Sequence, residues 1–314
     1  MKKMKNVTHV EGYLYQHSLT LKTSGENSKN PGTQFINGTI DIATDDKLTN
    51  IVSIHFTYVT ATTAKGTANA TYNTLNDIIN GVLKNVMEHG VDVAAKLRVD
   101  SAIGLNEFFS DRNGTEELVS AKRNEGGFVH TTQALAEDEM ARSTFDCDML
   151  ITNVRRIEAD EERNIPERAI VKGFIFDFRN ALLPVEFTAL SQGAMNYYES
   201  LEASEKNPVL SWVRGVQISQ TITRKIVEES AFDGPAVREV QSTRRDFVIT
   251  KGAKDPYIWD DESTMTVAEL KKALQDRETY IATIKQRQAD YRASQAGNTP
   301  APAAPATSVG GFNF

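Results

Sequence analysis

The stretch "NIVSIHFTYVTATTAKGTANATYNTLNDIINGVLKNVMEHG", residues 50–90, changes its hydrophobic period part-way along. Its first part has apolar residues at alternate positions, which predicts a strand with Val52, Ile54, Phe56 and Tyr58 facing inward. From residue 71 the apolar positions lie three and four residues apart, which predicts one amphipathic helix that stops at Gly90. The chain therefore passes from strands into a helix.

Two strands are predicted before this stretch and two after it. Residues 10–22 and 34–44 alternate, with Ile36, Ile40 and Ile42 of the second strand facing inward. After the helix, "AAKLRVDSAI" and "ELVSAKRNEGGFVH" are strand candidates separated by a loop, "GLNEFFSDRNGT". Three strands, one helix and two strands are the element order of the five-stranded barrel called the OB-fold.

The same order recurs between residues 144 and 252, where three strands, a short helix and two strands are predicted. The predicted fold class is mainly β with helices: two tandem OB-fold-like barrels, a C-terminal helix and a disordered tail. A single larger β-rich domain is the alternative. The predicted domains are a first barrel over 1–130, a second over 131–254, a linker and helix over 255–296, and a tail over 297–314.

The C-terminal helix is predicted to begin at Thr266, which forms a capping box with Glu269. It either packs on a barrel or pairs with another helix, so residues 266–291 are a candidate homo-oligomer contact. The predicted heptad core consists of Val267, Leu270, Leu274, Ile281 and Ile284, with Arg277 and Gln288 interrupting it.

Composition excludes several classes of protein. The net charge of −7 argues against a protein that coats nucleic acid with its whole surface, although a local basic face remains compatible with it. No apolar run is long enough for a membrane span, and no apolar block follows the basic N-terminus, so a cytoplasmic protein is expected. The single cysteine, Cys147, cannot form an internal disulfide, and no Cys/His cluster has zinc-ligand spacing.

The sequence predicts no enzyme and no cofactor. It contains no phosphate-binding loop, dinucleotide-binding, nucleophile-elbow or zinc-protease motif. Asp146 and Asp148 lie two apart on a predicted strand, a spacing that could hold a magnesium ion with a third carboxylate. The favoured interpretation is a solvated strand face. A metal-dependent nuclease is therefore only a third hypothesis for function.

Aromatic and basic residues are interleaved on the predicted barrel strands and loops. Proteins that bind single strands need cations for the phosphates and aromatic faces on which bases stack. The predicted contacts in the first barrel are Phe35, His55, Lys96, Arg98, a loop with Phe108, Phe109 and Arg112, and the fifth-strand residues Lys122 and Arg123. Those in the second barrel are Lys172, Arg179, Trp212, Arg214, Arg244 and Arg245.

The chain ends in "GNTPAPAAPATSVGGFNF", a Pro/Ala-rich stretch that is predicted to be disordered and that carries Phe312 and Phe314. An OB-fold followed by such a linker and a terminal phenylalanine resembles the bacterial and phage single-stranded DNA-binding proteins. "NGTIDIATD" also resembles the second-strand segment of that family. The tip lacks the acidic residues of the bacterial proteins, and the second barrel and the helix are additions, so the resemblance implies a divergent, phage-encoded member.

In that family the terminal aromatic tip is bound by replication, recombination and repair proteins. The resemblance thus implies sequence-tolerant binding of single-stranded DNA, with partners recruited through Phe312 and Phe314, in the host cytoplasm if the protein is phage-encoded. The alternative is a structural β-rich assembly or virion protein that does not bind nucleic acid.

Overall fold

The computed structural model describes residues 3–26, 28–112, 115–160, 165–228, 236–260 and 264–296; for residues 112, 220–228, 236–244 and 294–296 it describes the backbone only. The strands are β1 (Asn6–His17), β2 (Thr20–Thr23), β3 (Gln34–Ala43), β4 (Ile51–Thr60), β5 (Lys96–Arg112), β6 (Thr115–Thr131), β7 (Ser143–Ile157), β8 (Arg168–Phe176), β9 (Leu182–Ala189), β10 (Val209–Glu228) and β11 (Ala236–Gly252). The helices are α1 (Ala70–Ile79), α2 (Val86–His89), α3 (Gln192–Ser200) and α4 (Val267–Ala296).

Five strands close the first barrel in the order β1-β3-β4-β6-β5, and β5 pairs with β1 to complete the ring. Every pairing is antiparallel except that of β4 with β6, where Ile54 lies opposite Asn124. The helices α1 and α2 connect the third and fourth barrel strands. This strand order and helix position are those of an OB-fold, which confirms the predicted architecture.

Alternate residues of these strands fill the first barrel, as period-two patterning requires. Leu75 and Ile78 of α1 pack against this core. The strand residues buried in it are Val10, Leu14, Ile36, Ile40, Ile42, Val52, Ile54, Phe56, Leu97, Val99 and Val129.

The second barrel repeats the first. Its ring runs β7-β8-β9-β11-β10 and closes through the pairing of β10 with β7. The β9–β11 pairing is again the parallel one, and α3 connects the third and fourth strands. The rings of Phe145 and Phe187 lie 4.7 Å apart in its core. The prediction of two OB-like barrels is therefore confirmed.

The two barrels are joined by a ladder of backbone hydrogen bonds. β1 pairs antiparallel with β7, from Asn6 opposite Cys147 to Val10 opposite Ser143. All eleven strands consequently belong to one sheet. The domain boundaries at residues 130 and 254 stay a prediction.

The predicted loop "GLNEFFSDRNGT" is wrong, because most of it belongs to two long strands. β5 and β6 contain 17 residues each, and their pairing continues from Leu97 opposite Thr131 to Arg112 opposite Thr115. The β5–β6 hairpin thus extends beyond the ring of the first barrel, and its strand β5 packs against α4 there. The pattern did not indicate a strand because a charged residue, Glu107, is buried against α4 and an apolar one, Phe108, is 41% exposed, so hydrophobic and polar residues do not alternate there.

The single helix predicted over residues 71–90 is also wrong, because the chain breaks it into α1 and α2. The break lies at Gly81, whose φ of 67° is in the left-handed region that glycine enters without steric cost. The predicted stop at Gly90 is confirmed, since Gly90 caps α2.

Tyr58 was predicted to face inward and instead is 46% exposed. The β3–β4 register shifts between Ile36 and Gly38, so the alternation of side chains changes near the end of the strand. A Cβ atom on Gly38 would lie 2.4 Å from the carbonyl oxygen of Ser18, and its φ is 135°. Glycine is required here because the backbone before β2 passes too closely for a side chain.

Helix α4 begins with the predicted capping box. The Glu269 carboxylate accepts from the Thr266 N–H at 2.9 Å, and the Thr266 hydroxyl accepts from the Glu269 N–H at 3.2 Å. The predicted seam is only partly right, since Val267 is 40% and Leu274 is 38% exposed. The buried side of α4 contains Leu270. It also contains Arg277, which was predicted to interrupt the heptad core, whereas Leu274 is excluded from it.

Arg277 anchors α4 to the β5–β6 hairpin. Its guanidinium donates to both carboxylate oxygens of Glu107, with Nη1 2.6 Å from Oε2. The Arg277 side chain is 8% exposed and that of Glu107 is 2% exposed. The helix therefore packs on its own chain, and the homo-oligomer through residues 266–291 stays a prediction. Within the described part of the chain, no helix is both long enough and apolar enough to span a membrane.

Candidate nucleic-acid interface

An aromatic pair lies on the outer surface of the first barrel. The rings of Phe35 on β3 and Tyr58 on β4 have centroids 4.5 Å apart and are tilted by 35°. Phe35 is half-buried, while Tyr58 is exposed. The outward side chains of β3 and β4 are called the β3–β4 face below. It corresponds to the second and third strands of an OB-fold, which that fold uses to hold oligonucleotides.

Polar groups surround the pair. The Lys22 ammonium donates to the Asn37 side-chain oxygen at 3.2 Å, and the Asn37 amide donates to the Thr57 carbonyl at 2.9 Å. Farther along, the Thr39 hydroxyl lies 3.3 Å from His55 Nδ1. The face therefore presents aromatic rings at one end and hydrogen-bonding groups along its length.

Two predicted contacts, His55 and Arg123, come together beside this face. Burial lowers the pKa of His55, the Arg123 charge lowers it further, and Glu125 raises it by less. The imidazole is consequently neutral at pH 7. Arg123 pairs with Glu125, with Nε 2.7 Å from Oε1, so part of its charge is neutralised.

A cleft of about 1810 Å³ begins where this face ends. Tyr58 lines it from the first barrel, Phe178 and Arg179 from the turn between β8 and β9, and Tyr280 from α4. Phe178 is 71% and Tyr280 is 48% exposed. The Arg179 guanidinium lies 4.8 Å from the centre of the Phe178 ring. Aromatic side chains from three separate elements thus converge on one space, which Trp212 also lines.

A network of hydrogen bonds fixes one side of the cleft. The Trp212 indole N–H donates to Asp146 at 2.6 Å, and the Tyr257 hydroxyl donates to Asp148 at 2.8 Å. Lys5 pairs with Asp146 at 2.7 Å. Burial and the bond to Asp148 raise the pKa of Tyr257, which keeps the hydroxyl a donor. The predicted solvated face at Asp146 and Asp148 is wrong, because Asp148 is buried and both carboxylates are engaged.

The profile of the YorF protein family matches residues 5–287. The chain belongs to the YorF family. Among solved structures, it is similar to a deletion mutant of the single-stranded DNA binding protein from Thermus aquaticus, with a TM-score of 0.45 and 8% identity over 83% of this chain and 100% of that one. The wild-type Thermus protein gives a TM-score of 0.42 and 8% identity over 81% and 94%. A search of curated proteins finds no match.

Lys96 and Arg98 lie on another side of the first barrel of this YorF family member. Lys96 lies 5.8 Å from the centre of the Tyr13 ring, and Arg98 pairs with Asp100 at 3.1 Å. His9 contacts the same Asp100 at 2.7 Å. Both predicted contacts therefore lie along the β1–β5 pairing rather than on the β3–β4 face.

Phe108 and Phe109 lie on β5 and not in a loop, which corrects their predicted position. Phe108 is 41% exposed and Phe109 is 9% exposed. The Phe109 N–H donates to the Gln288 side-chain oxygen at 2.8 Å, and Lys285 lies 5.5 Å from the centre of the Phe109 ring. Phe109 is thus covered by α4, so its ring is not available to a base in this structure.

Lys122 contacts the second barrel. Its ammonium donates to the Glu186 carbonyl and lies 5.6 and 5.2 Å from the centres of the Phe187 and Phe247 rings. Burial lowers its pKa, an effect that outweighs the nearby Glu186 and Asp246. The adjacent residues Lys122 and Arg123 therefore have different surroundings, since only Arg123 adjoins the β3–β4 face.

The remaining predicted contacts do not form one cluster. Lys172, Arg214 and Arg245 are exposed on the second barrel, and Arg179 and Trp212 line the cleft. The side chains of Arg112 and Arg244, and Phe312 and Phe314 with the whole tail, lie outside the described residues. Sequence analysis missed Tyr58, Phe178 and Tyr280, and the "NG" before Thr39 was the available signal for the bulge that turns Tyr58 outward.

Across the described residues, no group of three or more His, Cys, Asp or Glu side chains could hold a metal ion. Cys147 is buried, and burial raises its pKa, so it is held as the thiol.

Proposed function

We propose that this protein binds single-stranded DNA with little sequence preference through the β3–β4 face of its first barrel. The observation that carries the proposal is the Phe35–Tyr58 pair, half-buried at Phe35 and exposed at Tyr58, whose rings lie 4.5 Å apart on the strands that an OB-fold uses for oligonucleotides. Stacking is tolerant of sequence because every base has an aromatic face.

The charges near the face suit a single strand. Lys22 supplies a cation for phosphates, and Arg123 adds a charge that Glu125 partly neutralises, while Asn37 and Thr39 can hydrogen-bond to bases or sugars. The net charge of −7 places the remaining surface under repulsion from DNA, which favours binding confined to this local face. Affinity is expected to fall as salt rises, because bound phosphates release counterions.

Fluorescence anisotropy of a labelled oligo-dT tests this proposal, with Phe35→Ala and Tyr58→Ala as the variants. Each lost stack is worth about 1–3 kcal/mol, so each variant is expected to weaken binding by roughly 5- to 150-fold. Phe128→Ala is the matched control, because Phe128 is an aromatic residue of the same barrel that is 70% exposed outside the face. Unchanged thermal unfolding would show that the variants fold.

Two results would reject the β3–β4 face. One is affinity within about twofold of the wild type in both variants, and the other is an equal loss in Phe128→Ala. Failure of the wild-type protein to bind at low salt, together with assembly into a defined oligomer, would instead favour the structural alternative.

The wider role is also proposed. We expect replication or recombination partners to bind Phe312 and Phe314, in the cytoplasm, without catalysis by this chain. Deleting residues 309–314 should leave oligo-dT affinity unchanged and abolish partner recovery in pull-downs. Arg98→Ala and Trp212→Ala are also expected to weaken oligo-dT binding without unfolding the protein, and unchanged affinity in both variants would remove these two residues from the proposed site.

A further inference from the structure

We propose that the cleft between the first barrel, the β8–β9 turn and α4 is a second subsite for the same single strand, beyond the β3–β4 face. This inference rests on the proposed function. The strand would leave the Phe35–Tyr58 pair and continue across Phe178 and Tyr280, so that both barrels and α4 take part in binding.

The size of the cleft indicates a polymeric ligand. Its volume of about 1810 Å³ exceeds the roughly 300–1,000 Å³ that is usual for small-molecule sites. A short run of nucleotides fills such a space, whereas a single small metabolite leaves most of it to water.

The chemistry of the lining suits bases. Phe178 and Tyr280 are exposed aromatic residues on different elements, and they face a common space with Tyr58. Large exposed aromatics that converge in this way are unusual on a protein surface unless they bind something. The Arg179 guanidinium lies 4.8 Å from the centre of the Phe178 ring, so a cation lies next to an aromatic ring on which a base can stack.

The charges of the cleft predict binding by stacking more than by phosphate contact. Five carboxylates line the cleft. Glu107 pairs with Arg277, Glu125 pairs with Arg123, Asp148 accepts from the Tyr257 hydroxyl, Asp177 accepts from the Arg179 and Ala181 N–H groups, and Asp276 lies on α4. Lys3 and Arg179 also line the cleft, and within the described chain neither side chain contacts a carboxylate. These two cations are therefore available to phosphates.

Tyr58 connects the two surfaces. It forms the ring pair with Phe35 on the β3–β4 face and also lines the cleft. A strand stacked on the pair can therefore enter the cleft without leaving an aromatic surface. This continuity favours one strand over an unrelated peptide or metabolite as the occupant.

Binding of a short and a long oligonucleotide distinguishes the β3–β4 face from the cleft. An oligo-dT of about 6 nucleotides fits one OB-fold, which holds about 4–16, whereas one of about 20 nucleotides reaches both surfaces. We expect Phe178→Ala and Tyr280→Ala each to weaken binding of the longer oligonucleotide about fivefold or more and to leave the shorter one within twofold. Tyr291→Ala is the matched control, because Tyr291 lies on the same helix, is 65% exposed and does not line the cleft.

Trp212 supplies a direct readout of occupancy. The chain has two tryptophans, so Trp259→Phe leaves Trp212 in the cleft as the sole indole. We expect the longer oligonucleotide to change its emission and the shorter one to leave it unchanged. Arg179→Ala should also lower the slope of log affinity against log salt by about 0.7 for the longer oligonucleotide only.

The outcomes distinguish the two proposals. If both oligonucleotides bind, Phe35→Ala weakens both, and the cleft variants and Trp212 emission do not respond, the cleft is not a subsite and the β3–β4 face stands. If cleft variants weaken both lengths equally, the cleft is not an extension of that face. If neither oligonucleotide binds the wild-type protein, both proposals fail.

Discussion

Removing the guanidinium of Arg277 should undock α4 from the β5–β6 hairpin. Arg277→Met keeps most of the apolar stem and deletes both charge-assisted hydrogen bonds to Glu107, one of them 2.6 Å long. The side chains are only 8% and 2% exposed, and after the change the Glu107 carboxylate still accepts from the Ser120 hydroxyl at 2.6 Å. The variant leaves a buried carboxylate without its counter-charge.

The burial of the Arg277–Glu107 pair determines how much stability the variant is expected to lose. An exposed ion pair contributes about 0–1 kcal/mol, whereas breaking a buried pair by removing one partner costs about 3–5 kcal/mol. We expect the larger figure, because both side chains are almost fully covered and the pair joins elements 170 residues apart. A cost of about 3 kcal/mol in helix docking raises amide exchange of α4 by roughly 150-fold.

Hydrogen exchange of α4 and urea unfolding measure this effect. Arg292→Met is the matched control on the same helix, because Arg292 is 51% exposed in its 3.2 Å pair with Glu116 and its loss should cost about 1 kcal/mol or less. The double variant Arg277→Met with Glu107→Leu should recover most of the protection, since an apolar pair of similar volume replaces a buried ion pair at little cost. Burial of the ion pair would be refuted as the source of the stabilisation if Arg277→Met cost less than about 1 kcal/mol. It would also be refuted if the amides of α4 exchanged as fast in the double variant as in Arg277→Met.

Four further changes have expected outcomes. Gly38→Ala should lower the thermal midpoint by an amount equivalent to more than about 1 kcal/mol, because φ is 135° and the new Cβ meets a carbonyl; an unchanged midpoint would contradict the register shift. Thr266→Ala should cost about 1 kcal/mol by removing the cap, measured by urea unfolding, and Thr266→Ser should restore it. Oligo-dT affinity should rise only as the pH falls below about 6.5, where His55 with its lowered pKa gains a proton, and His55→Gln should flatten this rise. Burial raises the pKa of Asp100, but the hydrogen bonds from His9 and Arg98 lower it by more. The stabilisation by the Asp100 carboxylate is therefore present above its unfolded pKa of about 3.9 and is lost as the pH falls through the lower folded pKa. The urea midpoint of Asp100→Asn should differ from that of the wild type above about pH 3.9 and converge with it below the folded pKa.

Local patterning was sufficient for the first barrel because strands such as β3 have one buried and one partly solvated face. Ile36, Ile40 and Ile42 alternate in the sequence and are all buried in the first barrel. The change of period after residue 70 placed a helix between the third and fourth strands, which is the feature that distinguishes this barrel order.

The failures arose where long-range contacts replaced local patterning. The segment of Phe109 lacks hydrophobic alternation because the neighbouring Glu107 is buried in an ion pair with α4, from the far end of the chain, while Phe108 is exposed. Arg277 interrupted the predicted apolar seam because its partner, Glu107, is 170 residues away. The cleft depends on Phe178 and Tyr280, which single-sequence patterns do not bring together.

The pairing of β1 with β7 also has a consequence for handling the protein. Splitting the chain between the barrels would leave Asn6–Val10 and Ser143–Cys147 each with a row of unpaired N–H and C=O groups. Such rows are templates for pairing with other chains. Separately expressed halves should therefore tend to aggregate or to recombine with each other, and mixing the two halves offers a route to a split protein whose reassembly can be controlled.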